Sequence, residues 1–431
     1  MVIKLSNELQ RADKGFAGFL KSLTMTDTDR ANAANRRVIE YQPCSVDAFF
    51  EPNRGVYNAV ISGGENRTRV NAMVAQAICA MKNNFPVVIL HQGNRELENQ
   101  MRSTFFGSGK YIEVSSRTPC FEPFFSLNEL EIANQILETA PKEYDIRSSA
   151  RYYIEGVSGY LNKSGKHLSF NLFSTCPHAL LFDKVEDLRL QGRITDAEEQ
   201  EIKSKLMMGQ SENYKLDTYM ASLKMEMSSL MYVPRNGQHP TNIISALNDQ
   251  VVFCIDVTSA TNKLLLNTLI FQLKLALTKG LRYTLLVDAI PLNANEAYAN
   301  YLKTPTDRIC TMISSDDFYS MMGGDERAFS TLIGNSQITV VMSHNSGNSA
   351  TKWAEVFGQY DKYETSYSRS KGTSRRTPFS LFASPHQSSS VSISERREYV
   401  VKPEAIMRMG YGEAYVLTAA RGELAHLILN G

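Results

Sequence analysis

The stretch that decides the fold is Val60-Ile-Ser-Gly-Gly-Glu-Asn-Arg-Thr-Arg-Val-Asn71, which has the frame of a phosphate-binding loop. An apolar strand candidate, residues 56–61, enters it, and apolar residues spaced by three and four over 70–81 predict a helix behind it. A functional loop has the pattern G-x-x-x-x-G-K-[ST]. Its backbone N–H groups surround the phosphate, its lysine reaches the outer phosphates and its hydroxyl binds Mg²⁺.

This chain keeps the entry to such a loop and replaces most of its ligands. Arginine stands at the lysine position and valine at the hydroxyl position, whereas the helix N-terminus would still attract an anion. Two alternatives stay open for the stretch: an ordinary strand-turn-helix connection with solvated arginines, or a phosphate-binding loop that has kept its geometry and lost its ligands. The candidate loop residues are Ser62, Gly63, Gly64, Arg67, Arg69 and Val70.

Composition excludes several classes of protein. Lys+Arg 46 against Asp+Glu 45 gives no global field that would attract nucleic acid or an anionic membrane. The six cysteines form no C-x-x-C pair, which is typical of reduced thiols in a cytoplasmic protein rather than of a metal site. No apolar run reaches the ~18 residues of a membrane-spanning helix, so we expect no span.

Buried-strand candidates alternate with helical patterns along most of the chain, which predicts a mainly parallel α/β sheet with helices on both faces. The strand signal disappears over 165–232, where we expect an all-α insertion. Thr195, followed three residues later by Glu198, predicts a capped helix start there. Further strands are predicted at 85–90, 111–115, 250–257, 283–289, 337–344, 413–417 and 425–429, helical stretches over 296–332, and a hairpin or mobile loop at 359–398.

With 431 residues, the chain exceeds the size of a single core. We therefore predict an N-terminal helical and extended segment at 1–54, an α/β core at 55–160 and 235–431, and an inserted all-α domain at 161–234.

The order of these parts resembles the motor domain of type IV secretion coupling proteins, the TraG/TraD branch of the FtsK/HerA P-loop ATPases. The resemblance covers roughly residues 50–431 and implies a RecA-like P-loop NTPase fold. It rests on short stretches: residues 61–64 (ISGG), 87–97 (VVILHQGNREL), 121–124 (FEPF), 285–290 (LLVDAI), 339–346 (TVVMSHNS), 361–372 and 404–417 (EAIMRMGYGEAYVL).

The departures from the family fall on its chemistry. The resemblance implies an acidic strand that ends in an Asp for Mg²⁺ and a Glu that activates water; here these positions are Asp288 and Ala289. His344 or Asn345 stands where the family has a sensor glutamine. A missing general base costs on the order of 10² to 10⁴ in rate, and phosphoryl transfer depends on positioning and charge. We therefore expect no catalytic residue, no metal site and no cofactor, with ATP and Mg²⁺ bound only if the loop retains binding.

Three functions stay open: a pseudo-ATPase that serves as a structural or adaptor component of a conjugation or type IV secretion apparatus, an active DNA translocase with unusual nucleotide ligands, and an unrelated α/β binding protein. The first implies protein partners from the apparatus, an active ATPase relative or a ring of copies, and a cytoplasmic protein peripheral to a membrane complex. One basic, tyrosine-rich segment favours either nucleic-acid contact or a solvated loop; its cations are Arg369, Lys371, Arg375 and Arg376.

Overall fold

The computed structural model describes residues 27–36, 38–40, 44–45, 57–166, 168–176, 180–234, 239–258, 263–304, 306–374, 384–418 and 423–430. The first part of the predicted N-terminal segment, residues 1–26, lies outside them. Among the described residues, no helix is long and apolar enough to cross a membrane.

The strands are β1 (Val38–Glu40), β2 (Cys44–Ser45), β3 (Ala59–Ser62), β4 (Val87–His91), β5 (Tyr111–Val114), β6 (Val252–Asp256), β7 (Tyr283–Asp288), β8 (Ile309–Ser315), β9 (Ile338–Val341), β10 (Gln359–Ser374), β11 (Ser384–Tyr399), β12 (Glu413–Thr418) and β13 (Glu423–Asn430).

The α-helices are α1 (Asp27–Arg36), α2 (Asn66–Lys82), α3 (Arg95–Phe105), α4 (Glu129–Thr139), α5 (Ala150–Lys163), α6 (Phe170–Ser174), α7 (Leu181–Leu190), α8 (Asp196–Met208), α9 (Asn213–Glu226), α10 (Ile243–Asn248), α11 (Lys263–Thr278), α12 (Glu296–Lys303), α13 (Phe318–Met321), α14 (Glu326–Gly334), α15 (Gly347–Phe357) and α16 (Pro403–Met407).

The chain divides into two compact units. The central unit comprises residues 49–61 and 66–336, and the terminal unit comprises residues 1–48, 62–65 and 337–431.

The central unit contains the parallel sheet. Its strands follow the order β3-β8-β7-β4-β6-β5, and the pairs from β8 to β5 are parallel. Every residue of β4 and β7 is buried, as expected for strands covered on both faces. The predicted α/β class with a mainly parallel sheet is confirmed.

Between β5 and β6 the described residues form helices and no named strand. The capped helix start predicted from the sequence is confirmed: the Thr195 hydroxyl accepts from the Glu198 amide, and the Glu198 carboxylate accepts from the Thr195 amide at 2.8 Å. Each bond satisfies one of the N–H groups that a helix leaves unpaired at its first turn.

One predicted element is wrong. We expected helices over 296–332, but residues 309–315 form β8 between β3 and β7. The stretch Ile-Cys-Thr-Met-Ile-Ser-Ser is rich in β-branched and small polar residues and lies between two short helices. Its strand conformation is stabilised by pairing with β7, in the register Asp288 opposite Ser314.

The terminal unit contains strands β1, β2, β9, β12 and β13 and a long hairpin. Strand β12 pairs antiparallel with β9 and with β13, and the short β1 and β2 pair parallel with β13. Strands β10 and β11 pair antiparallel over 16 residues each, so the hairpin predicted at 359–398 is present. Helix α1 packs on β10, where the Asn32 side chain donates to the Tyr363 carbonyl and accepts from the Tyr363 amide.

Candidate functional site

The loop that follows β3 is shorter than a phosphate-binding loop requires. Helix α2 begins at Asn66, so only Gly63, Gly64 and Glu65 connect it to β3. In the phosphate-binding pattern, residues 65–68 would still be loop, with N–H groups turned toward phosphate. In this chain helix α2 therefore extends into positions that belong to the loop in the phosphate-binding pattern.

The two glycines of the loop lie against the segment that follows β9. Both have positive φ, 84° at Gly63 and 65° at Gly64. A Cβ at Gly63 would lie 2.6 Å from the Ser343 carbonyl oxygen, and a Cβ at Gly64 would lie 2.7 Å from the Met342 side chain. The Gly64 amide donates to the Ser343 carbonyl at 2.9 Å. These glycines are required by close packing and by their backbone conformation.

His344 lies at the centre of a buried hydrogen-bond network in the terminal unit. The indole Nε1 of Trp353 donates to its Nε2 at 3.2 Å, so Nε2 is the unprotonated nitrogen. Nδ1 therefore carries the proton and donates to the Met342 carbonyl at 2.7 Å, and the Ser62 hydroxyl donates to Nε2 at 2.7 Å. The predicted sensor histidine thus holds the end of β3 against the segment after β9. Its neighbour Asn345 is exposed.

In the central unit, the structure brings together Arg69 of α2 and Asp288 at the end of β7. Both side chains are buried, with exposed fractions of 8% and 3%. Burial lowers the pKa of the Arg69 guanidinium, and the negative charges of Asp288, Asp316 and Glu96 oppose that effect. The alternative of a solvated arginine does not hold for Arg69, whereas Arg67 is exposed.

Asn94 joins Asp288 to the start of helix α2, and sequence reasoning did not single it out. Its Nδ2 donates to Asp288 Oδ2 at 2.7 Å and to Asn66 Oδ1 at 2.9 Å. Its Oδ1 accepts from the Leu97 amide and caps α3. The sequence signal was its position: it follows β4, and the carboxyl ends of parallel strands meet at one edge of a sheet.

A magnesium nucleotide fits this arrangement poorly. Asp288 Oδ1 is buried without a hydrogen-bond partner among the described residues, and so is Ser314 Oγ in the register position beside it. These two oxygens are ligand types that Mg²⁺ accepts. The hydroxyl position of the loop, however, is Val70, which is completely buried, and Ala289 carries no carboxylate. The positions that would supply the Mg²⁺ hydroxyl and the water-activating carboxylate therefore carry apolar side chains.

The other predicted residues are the four cations of the basic, tyrosine-rich segment. Arg375 and Arg376 lie outside the described residues. Arg369 and Lys371 lie on β10, in register with Ser389 and Gln387, and the structure does not describe their side chains. Within the part of the chain that the structure describes, no cluster of three or more His, Cys, Asp or Glu side chains is placed to hold a metal ion.

A mainly parallel α/β sheet with one strand between the loop-bearing β3 and the acidic β7 is a RecA-like P-loop fold. Residues 318–410 match the family model described as the TraM recognition site of TraD and TraG. This match confirms the predicted resemblance to coupling proteins of the TraG/TraD type used in conjugation and type IV secretion. No curated protein sequence matches the chain.

Several solved structures resemble the chain over most of its length. The unbound bacterial conjugative coupling protein TrwBdeltaN70 has 15% identity and a TM-score of 0.46, over 96% of this chain and 91% of that chain. TrwB in complex with ADP and Mg²⁺ has 16% identity and a TM-score of 0.45, over 90% and 89%. VirB4 of Thermoanaerobacter pseudethanolicus has 10% identity and a TM-score of 0.40, over 87% and 89%.

Proposed function

We propose that this chain is a catalytically degenerate, coupling-protein-like pseudo-ATPase that serves as a structural or adaptor component of a conjugation or type IV secretion apparatus. The observation that carries the proposal is that a backbone N–H group of the loop is bonded within the protein. The Gly64 amide donates to the Ser343 carbonyl, and α2 begins two residues later. The Gly64 amide is therefore not available to phosphate, and such a loop holds phosphate with its backbone donors.

The chemistry of the substituted positions supports the same conclusion. Arg69 is a buried cation that interacts electrostatically with the Asp288 carboxylate. The protein itself thus supplies the positive charge that Mg²⁺ would otherwise bring to this carboxylate. Val70 and Ala289 replace the metal-binding hydroxyl and the water-activating carboxylate of the family. Each loss removes a charge or positioning element on which phosphoryl transfer depends. We infer that neither nucleotide nor Mg²⁺ is a cofactor of this chain, although structures of TrwB contain both.

The adaptor role rests on the matched segment. Residues 318–410 match a model described as a recognition site for TraM, and we infer that this segment binds a protein of the same kind of apparatus. An active ATPase relative and further copies of this chain are the other partners that the proposal allows.

Two experiments test the proposal. The first is a phosphate-release assay of the wild type beside the triple variant Arg69→Lys/Val70→Thr/Ala289→Glu, which restores the family's ligands. We expect no turnover by the wild type at any Mg-ATP concentration. Turnover by the wild type that the triple substitution does not raise would identify an active translocase with unusual ligands. The second is affinity capture from the native host, which is expected to recover secretion-apparatus proteins; recovery of none contradicts the adaptor role.

A further inference from the structure

A groove of about 420 Å³ lies in the terminal unit beside helix α1. Arg36 of α1, Phe357 of α15, Tyr360 and Tyr363 of β10 and Leu424 of β13 contribute to its walls. Sites for small ligands and side chains have volumes of about 300 to 1,000 Å³ and combine apolar walls with a few polar groups. The groove has a volume in this range, its walls are more polar than apolar, and it shares no residue with the network around His344.

Arg36 is the polar group that gives the groove its specificity. Its Nε donates to the Val400 carbonyl at 2.9 Å, which fixes the plane of the guanidinium. Among the described residues, no carboxylate forms an ion pair with Arg36, and no other acceptor bonds to it. Among the described residues, its two Nη groups therefore have no acceptor, and a guanidinium presents such a pair to the two oxygens of a carboxylate.

The carboxylates near the groove already have cationic partners. The Asp361 carboxylate lies 3.7 Å from Nε of Arg397, and the Glu398 carboxylate lies 2.6 Å from Nζ of Lys402. Within the described part of the terminal unit, Arg36 is thus the groove cation whose charge no ion pair balances. One incoming carboxylate would balance it.

The rest of the groove selects among anions. Phosphate and nucleic acid would bring further negative charge close to Asp361 and Glu398, which line or adjoin the groove, and like charges a few ångströms apart repel. Nucleic-acid sites also depend on several cations along the backbone, and here one is available. The ring of Phe357 and the side chain of Leu424, both buried, suit an apolar residue beside the carboxylate.

We propose that this groove binds a glutamate or aspartate side chain, flanked by an apolar residue, of an extended segment of a protein partner. The inference rests on the proposed adaptor function, because Phe357, Tyr360 and Val400 belong to the matched segment 318–410. The proposal assigns the contact to the Arg36 guanidinium, and it requires a partner whose extended segment contains acidic and apolar residues.

The test is fluorescence anisotropy of the full chain with a fluorescein-labelled octapeptide in which glutamate alternates with leucine. A second octapeptide carries glutamine at the glutamate positions. The variants are Arg36→Met, which keeps the aliphatic stem, Arg36→Lys, which keeps a charge, and Arg30→Gln, an exposed arginine of the same helix that does not line the groove. Inorganic phosphate and a single-stranded oligonucleotide serve as competitors.

We expect the glutamate peptide to bind the wild type and Arg30→Gln equally, and Arg36→Met at least about tenfold more weakly. Arg36→Lys should retain part of the affinity, and the glutamine peptide should lose about as much as Arg36→Met does. Equal binding of the two peptides overturns the proposal even if Arg36→Met fails to fold. Displacement by oligonucleotide or by phosphate at lower concentration than by unlabelled peptide also overturns it, as does the absence of peptide binding. Phosphate release measured on the same samples tests the pseudo-ATPase function separately, because that result does not depend on the groove.

Discussion

The hydroxyl of Ser62 donates to Nε2 of His344, and the two residues are 282 positions apart in the chain. The bond joins the end of the loop-bearing strand to the position that the family resemblance assigns to a sensor. In this chain both residues are almost completely buried and are used for structure. The histidine at the position of the sensor is here part of a buried packing contact.

Removal of the imidazole tests that structural role. In His344→Ala, the Ser62 hydroxyl and the Trp353 indole lose their shared acceptor inside the protein. Each buried donor that loses an acceptor costs about 1 to 3 kcal/mol, so we expect a loss of roughly 3 kcal/mol, seen as a lower urea midpoint. Ser62→Ala removes one donor and should cost about 1 kcal/mol. His239→Ala, at an exposed histidine, is the control; equal effects of His344→Ala and His239→Ala would contradict the network.

The glycines are predicted to serve packing. Gly64→Ala places a Cβ 2.7 Å from Met342 at a φ of 65°. Gly109→Ala imposes nearly the same backbone strain, at a φ of 67°, with open space around the new Cβ. We expect Gly109→Ala to cost about 1 to 2 kcal/mol and Gly64→Ala to cost about 1 to 3 kcal/mol more because of overpacking. Thermal unfolding of both variants measures the difference, and equal costs would show that the close approach at Gly64 is unimportant.

The electrostatic interaction between Arg69 and Asp288 predicts an energetic coupling. In a double-mutant cycle of Arg69→Met and Asp288→Asn, each single change removes one of the two buried charges. We expect a coupling energy of about 1 to 3 kcal/mol. The matched cycle uses Arg67→Met, because Arg67 is exposed two residues earlier on the same helix. Additive effects in the Arg69 cycle would mean that the guanidinium does not stabilise the buried carboxylate.

Glu122 predicts a pH dependence of stability in the central unit. Its carboxylate is buried, and burial raises its pKa from 4.5 to about 7, although the amides of Phe170 and Phe124 donate to it. The folded protein favours the protonated form of Glu122. The contribution of this group to the free energy of unfolding is therefore fully present below pH 4.5 and is lost as pH rises through about 7.

Glu122→Gln keeps the acceptor and cannot ionise. From pH 4.5 to pH 8, we expect the free energy of unfolding of this variant to rise by roughly 3 kcal/mol relative to that of the wild type. Urea midpoints at the two pH values measure the change. Because both proteins carry the same other titrating groups, the difference isolates Glu122. If the wild type and Glu122→Gln differ in free energy of unfolding by the same amount at both pH values, Glu122 is not a buried carboxylate that titrates in this range.

The sequence predicted the elements with strong local signals and failed where neighbours decide the structure. The uninterrupted apolar runs of β4 and β7 and the capping residues at Thr195 act within a few positions, so they were predictable. Strand β8 was not predictable, because its conformation depends on pairing with β7 rather than on the periodicity of its own apolar residues. The burial of Arg69 was missed for a similar reason: Asp288, whose charge acts on it, is more than 200 positions away.

Calorimetric titration of the full chain with Mg-ATP tests the central claim most directly, because it measures the step that the closed loop is inferred to prevent. The account predicts no heat of binding up to millimolar nucleotide for the wild type. It predicts the same result for His344→Ala, because His344 acts through packing. Saturable binding at micromolar Mg-ATP by the wild type, abolished by Asp288→Asn, would contradict the account and restore Asp288 to a role in holding a magnesium nucleotide.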